Sequence, residues 1–405
     1  MVLNLRPLSL VGLGIAVFVL ASCREVPFAP TVTPPTPARY ATVTLDTLRG
    51  ANLDVNDQWA GVTMLLARDQ SAHVVAFDQW NGNLRYHGCA NVCDDPAHWF
   101  AGTGDGGVTQ WYYTVAGSVL TPGGIQSVYL VNVGNNFGIR YAHCAGACNL
   151  AGNWAMANLF LGESNFEGQP WVHSAPLATD PSGGLHLLFR STQDGALHHA
   201  FCGAGCDNPG NWQDTPIDSA FADWQSAQLL AIAPGGGVHA LYATGRLMHA
   251  SCGSGCTVAA NWRTDTVPVD SLSGKLAGLS VAFGTDGALH LAYVDGSSRP
   301  VYATCNAPCT VPETWTAVVL PLATRDVSLA TDARGRLYLA TAGRSVAVSR
   351  CDANCLDPAS WQTTQVDSAL GGGHVSIAVD SAGYARVAST FGGWPQILQY
   401  TRMLQ

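Results

Sequence analysis

After residue 39 the chain is a succession of short apolar stretches broken by Gly, Pro, Asp and Asn. Residues 225–268 show the unit. Ala227–Ala233 is apolar and gives way to the turn Pro234-Gly235-Gly236-Gly237. Val238–Tyr242 reads as a second strand, Thr244-Gly245 turns the chain, and Leu247–Cys252 reads as a third. Trp262 opens a fourth strand through Val269. Four short strands separated by turn residues predict one blade of a β-propeller. The order recurs. The first turn of other units reads Asp180-Pro181-Ser182-Gly183, Asp286-Gly287, Asp332-Ala333-Arg334-Gly335 and Asp380-Ser381-Ala382-Gly383.

Twelve cysteines mark the repeat. They form the pairs Cys89/Cys93, Cys144/Cys148, Cys202/Cys206, Cys252/Cys256, Cys305/Cys309 and Cys351/Cys355, each C-x3-C. A tryptophan follows each pair at a fixed distance: Trp99, Trp154, Trp212, Trp262, Trp315 and Trp361. Successive first cysteines lie 55, 58, 50, 53 and 46 residues apart. A period near 50 marks a solenoid or a propeller.

Six cysteine pairs do not mean six blades. After Trp361 the chain begins another unit, in which Leu398, Tyr400 and Met403 follow the third-strand pattern, with Met403 where the cysteine would stand. That unit lacks a fourth strand, while Tyr40–Asp46 is a strand without a unit. The expectation is an all-β, seven-bladed propeller of four-stranded antiparallel blades, closed by the N-terminal strand completing the last blade. Closure also removes two open sheet edges. Residues 39–405 then give about 52 residues per blade, within the spread of observed spacings.

Composition agrees. Charged residues are 12% of the 405, against about 25% in ordinary globular chains. Lys275 is the only lysine, and Glu25, Glu163, Glu167 and Glu313 are the only glutamates. Poverty in these helix formers, with 44 Gly and 21 Pro, argues against a helical protein. The net charge of −9 argues against a nucleic-acid partner.

The thirteenth cysteine lies apart. An apolar run, Leu10–Leu20, has the length of a secretory h-region and is too short to span a bilayer. It ends in Leu20-Ala21-Ser22-Cys23, which resembles the lipobox of bacterial lipoproteins. The resemblance implies a signal peptide over 1–22, lipidation of Cys23, and anchoring to the membrane by lipid. Arg24 stands where that family's inner-membrane retention signal is Asp, which favours the outer membrane. Residues 23–38, with Pro27, Pro30, Pro34, Pro35 and Pro37, read as an extended tether ahead of the propeller domain at 39–405.

C-x3-C pairs admit zinc, thiol redox chemistry or a local disulfide. Two thiolates do not complete a tetrahedral zinc site, six identical redox centres would be odd, and an exported chain favours disulfides. The six pairs are therefore read as staples on the third turn. His73, His186, His239 and His290 recur on second strands, with Tyr338 and Arg386 in later blades. One histidine per blade cannot converge on one ion. They are read as repeated inter-blade hydrogen bonds, and His198-His199, pointing to opposite strand faces, as no chelate. No metal or cofactor is expected.

Strand direction puts the Asp/Gly turns and the cysteine turns on one face. The other face carries the second-to-third loops and the links between blades, which vary. Trp59, Trp111, Trp171 and Trp224 stand near the start of the first strand in blades 1 to 4, and Trp80 and Trp394 lie in second-to-third loops. All six map to the irregular face. Asp57, Asp78, Asp105, Glu163, Glu167, Arg190, Asp194 and Asp223 lie near the same loops. Aromatic platforms beside polar groups suit a sugar. Packing around a central channel is the other reading of the same tryptophans.

As architecture, 39–405 resembles the secreted propellers of the sialidase-like (Asp-box) type. The motifs fall short. Thr103-Gly104-Asp105-Gly106-Gly107 approaches the Asp-box, but Trp111 is one residue late, and the Arg-Ile-Pro segment is absent. No catalytic residue carries over. Asp105 with Glu163 is the carboxylate pair left for glycoside hydrolysis. The reading is a non-catalytic envelope lipoprotein that binds a glycan or a protein on the irregular face. The ligand set is Trp59, Trp80, Trp111, Trp171, Trp224, Trp394, Asp105, Glu163, Arg190 and Asp223; a glycoside hydrolase and an envelope scaffold are the alternatives.

Overall fold

A computed structural model describes residues 40–48, 59–78, 82–106, 117–133, 136–160, 176–191, 193–219, 228–244, 246–268, 278–305, 309, 314–367, 372–391 and 396–404. These residues form seven four-stranded antiparallel sheets. Blades 1 to 6 lie within 59–105, 117–159, 177–218, 228–266, 279–319 and 326–367. Blade 7 takes three strands from 372–403, and its fourth is Tyr40–Leu48. The closing strand pairs Tyr40 with Met403 and Leu48 with Gln396, so the expected ring closure is observed. The first strands neighbour one another around the ring. In blades 5 to 7 a serine on each first strand, Ser280, Ser328 and Ser376, accepts from the backbone N–H of the next blade at 2.8–3.1 Å.

The six cysteine pairs are disulfides, as expected: Cys89–Cys93, Cys144–Cys148, Cys202–Cys206, Cys252–Cys256, Cys305–Cys309 and Cys351–Cys355. Each closes the turn from third to fourth strand. The first cysteine of every pair is buried, and so is the second in blades 1 to 5; Cys355 of blade 6 is half-buried. The second cysteines do more than the sequence reading gave them. Their carbonyls seat the tryptophans of the motif, accepting from the indole N–H at 2.8–2.9 Å. Cys93 receives Trp99, Cys148 receives Trp154, Cys206 receives Trp212, Cys256 receives Trp262 and Cys355 receives Trp361.

In blades 2 to 4 an asparagine just before the tryptophan (Asn153, Asn211, Asn261) donates to two carbonyls between the cysteines. The residue before the second cysteine is left-handed, with φ between 49° and 62° at Val92, Ala147, Gly205, Gly255 and Asn354. Gly and Asn accept this conformation; a β-branched residue does not. Val92 is also exposed, so it gains no burial in return. Val92→Gly is expected to stabilise the chain by about 1 kcal/mol, read as a higher denaturant midpoint with unchanged m-value.

A relay joins the blades. The third-strand residue three before the first cysteine is Tyr86, Tyr141, His199, His249 or Tyr302 in blades 1 to 5. Each ring packs on the tryptophan of the following blade: Trp154, Trp212, Trp262, Trp315 and Trp361. Tyr400 of blade 7 packs on Trp99 of blade 1, with centroids 4.8 Å apart, so the relay crosses the closure. Blade 6 is the exception. Its residue there is Val348, and blade 7 has no disulfide module to receive a ring; Val348 and Met403 share one apolar cluster instead.

The second-strand column corrects the inter-blade reading. Its hydrogen bonds run mainly within a blade, to the relay residue. His73 meets Tyr86 Oη at 2.7 Å, His290 meets Tyr302 Oη at 2.8 Å, and His186–His199 and His239–His249 are each 2.9 Å. Gln126 bonds Tyr141, and Arg386 donates to Tyr400 Oη. Tyr338, lacking a partner at Val348, crosses to the Gly383 carbonyl of blade 7 at 2.8 Å. A bond from a histidine to the next blade comes instead from the third strand: His249 Nδ1 lies 3.2 Å from the Cys309 carbonyl oxygen. Every such group is buried or half-buried and therefore needs its partner.

Candidate functional site

The disulfide-turn face is built from repeated contacts. On it the Asp turns close on themselves: Asp180, Asp332 and Asp380 each accept two backbone N–H groups, two and four residues on. A cleft of about 500 Å³ opens there between blades 1 and 2, beside His73, Tyr86, Phe100 and the Cys144–Asn149 turn. Gly88, opposite Phe100, lets the Phe100 ring and the Tyr86 hydroxyl lie where a Cβ would otherwise stand. His73 in its wall is already paired with Tyr86 and Ser71.

The opposite, loop face is the one to which the sequence reading assigned its candidate residues. Trp80, Trp111, Trp171, Trp224, Trp394, Glu163 and Asp223 lie outside the described residues, as does Cys23. Trp59 is placed by its backbone alone, as the first residue of the first strand of blade 1.

Asp105 and Arg190 are described, and both are engaged. Asp105 ends the fourth strand of blade 1 and reaches into blade 2. Its Oδ2 accepts from Tyr129 Oη at 2.5 Å and from Arg140 Nη1 at 2.7 Å. Arg140 is held in turn by Asn158 at 2.8 Å. Arg190 ends the second strand of blade 3 and donates to the Gly195 carbonyl at 3.2 Å, folding back on its own loop.

Asp105 belongs to a set. At the same level Asp46 of the closing strand accepts from Arg85 of blade 1 at 2.6 Å, and Asp218 of blade 3 accepts from Tyr242 of blade 4 at 2.6 Å. Burial alone would raise the Asp46 pKa, but His87 and Arg85 together hold it well below the usual carboxylate range. These three aspartates latch blade 7 to blade 1, blade 1 to blade 2 and blade 3 to blade 4. Asp194 is committed as well. It and Asp214 flank His198 at 2.9–3.2 Å, and the two carboxylates outweigh burial and raise the imidazole pKa. Among the described residues no cluster of three His, Cys, Asp or Glu is arranged to hold a metal ion.

Sequence reading missed the basic half of this face. Arg246, Arg299 and Arg344 stand in the second-to-third loops of blades 4, 5 and 6, and Arg325 on the link into blade 6; all four are exposed. The signal was an arginine in three successive loops of one class, passed over because the loops differ in length.

No family model matches the chain, and no curated protein matches it. Solved structures do. A protein of unknown function from Dyadobacter fermentans aligns with a TM-score of 0.50 at 11% identity, over 89% of this chain and 98% of that one. AofleA from Arthrobotrys oligospora aligns at 0.50 and 11%, over 82% and 91%. The polysaccharide lyase Uly1 aligns at 0.50 and 9%, over 90% and 98%. At such identities the likeness is one of fold.

Proposed function

We propose that this chain is a lipid-anchored envelope protein, placed in the outer membrane, whose propeller binds a glycan on its loop face without catalysis. The carrying observation is the division of the ring into two faces. One is built from repeated staples, relays and turns. The other carries four exposed arginines, and it is the face to which the sequence reading assigns the six tryptophans. A rigid scaffold with one variable loop face carries recognition on that face. Aromatic faces and hydrogen-bonding groups are what a sugar needs.

Two structural details support this reading. Asp105, half of the one carboxylate pair offered for hydrolysis, is held by Tyr129 and Arg140 as an inter-blade latch. Tyr40 opens the closing strand opposite Met403, at the disulfide-turn end, so the described chain enters the ring on the side away from the loops.

A glycan array probed with the full-length chain, beside Trp171→Ala and Trp224→Ala, tests it. Binding that weakens in either variant is expected. No binding, or binding unchanged in both, removes the tryptophan face as the site. Cys23→Ser is expected to shift the chain out of the membrane fraction; an unchanged distribution ends the anchoring proposal.

A further inference from the structure

The arginines of blades 4 to 6 occupy one connected surface. Arg299 closes the second-to-third loop of blade 5. Its neighbour Ser298 accepts at its carbonyl from Thr324 N–H at 2.8 Å, which ties that loop to the link into blade 6. Arg325 follows on this link, and its N–H donates to the Ala342 carbonyl at 2.7 Å. Thr324 Oγ1 donates to the same carbonyl at 2.8 Å. Ala342 opens the loop that carries Arg344. Gly343 lies so close that a Cβ there would stand 2.9 Å from the Ala323 carbonyl oxygen. Three arginines thus project from loops joined by direct hydrogen bonds. Arg246, in the tight Thr244–Arg246 turn, holds the corresponding place in blade 4.

Charge is distributed unevenly around them. In a chain of net charge −9, half of the described arginines are committed: Arg85, Arg140, Arg299, Arg336, Arg350, Arg386 and Arg402 are each paired with an aspartate. Among the described residues Arg246, Arg325 and Arg344 have no carboxylate partner. The nearby acids are occupied. Asp295 takes Arg299 at 2.8 Å and two backbone N–H groups of its own loop. Asp326 accepts from Val327 N–H and Val375 N–H and faces His374. An exposed guanidinium without a partner contributes nothing to the fold, and its planar fork of donors fits carboxylate or sulfate oxygens two at a time.

We propose that Arg325 and Arg344, flanked by Arg246 and by Arg299 in its pair with Asp295, form an anion-binding site on the loop face that takes an acidic polysaccharide, bearing carboxylate or sulfate groups along its length. The repeat around the ring suits a polymer, since charges on successive blades meet charges on successive residues. Blades 5 and 6, which carry Arg299, Arg325 and Arg344, have in sequence no tryptophan near the start of the first strand, unlike blades 1 to 4. The inference rests on the glycan-binding reading and adds the class of glycan.

The test uses the full-length chain in detergent with three fluorescent probes: an oligogalacturonate, a chondroitin sulfate oligosaccharide and a neutral cello-oligosaccharide. At least one acidic probe is expected to bind more tightly than the neutral one, and which of the two prevails tells carboxylate from sulfate. Its affinity is expected to fall steeply as salt rises from roughly 50 to roughly 500 mM. Arg325→Ala/Arg344→Ala is expected to weaken it by about tenfold or more. Arg68→Ala/Arg334→Ala, on the disulfide-turn face, is expected to leave it unchanged. Neutral and acidic probes bound equally, or acidic binding untouched by the double substitution, overturns the arginine site and leaves glycan binding standing. No binding of any probe overturns both.

Discussion

Reduction of the six disulfides is expected to abolish the fold at moderate temperature. Each bridge closes a loop of five residues, which the loop-entropy relation values at about 2 kcal/mol. Six independent loops sum to roughly 12 kcal/mol, as much as the whole stability of a typical domain, about 5–15 kcal/mol. The bridges also hold the tryptophan seats that receive the relay rings, so their loss loosens contacts between blades as well as turns. The first cysteine of every pair is buried, so reductant alone should act slowly on the native ring and quickly once it opens. The half-buried Cys355 makes the Cys351–Cys355 bridge the first expected to yield. The measurement is thermal unfolding with thiols counted by mass. A fully reduced chain that keeps its melting temperature within a few degrees would show that the modules are held by packing alone.

Acid is the second strong lever. Burial lowers the pKa of His73, His186, His199, His239, His249 and His290. His199 is lowered to about 3 and His239 and His249 to about 4. The unfolded chain therefore takes up protons first. The stability these groups hold is complete above the ordinary histidine pKa of about 6.5 and is lost as pH falls from there toward the folded values. At about 1.4 kcal/mol per unit, the buried histidines together account for roughly 5 kcal/mol or more between neutral pH and pH 4. His198 runs the other way. Its raised pKa contributes stability below the unfolded value, lost as pH rises through the folded one, and offsets the loss by one group among several. A denaturant midpoint that falls steadily below pH 6.5 is expected. His199→Tyr, which copies the His–Tyr pair of blades 1 and 5, should shift that fall to lower pH. A midpoint constant from pH 7 to pH 4.5 would refute the argument.

The fold was legible because its signals are local. C-x3-C-x5-W lies within one turn and recurs six times, and the unpaired strand at Tyr40 completes the arithmetic of the seventh blade. What escaped notice depends on residues far apart in sequence. Tyr86 reveals its role only with Trp154 in place, and Val348 only against the missing module of blade 7. Asp105 looked available because nothing in its neighbourhood announces Tyr129 or Arg140. The tryptophans drew attention through their rarity and their position. The arginines did not, because the bonds that gather them pass through Ser298, Thr324 and Ala342, backbone contacts that no side-chain pattern records.

Tension between an N-terminal anchor and a ligand on the loop face would fall on the pairing of Tyr40–Leu48 with Gln396–Met403. The strand would be drawn from Tyr40 along its own axis, so its eight registered pairs would carry the load together, in shear, instead of parting one after another. A clasp of that geometry resists a steady pull until the whole strand slides out. On the anchoring and glycan-binding proposals, such a load would be borne by the same strand that completes the ring.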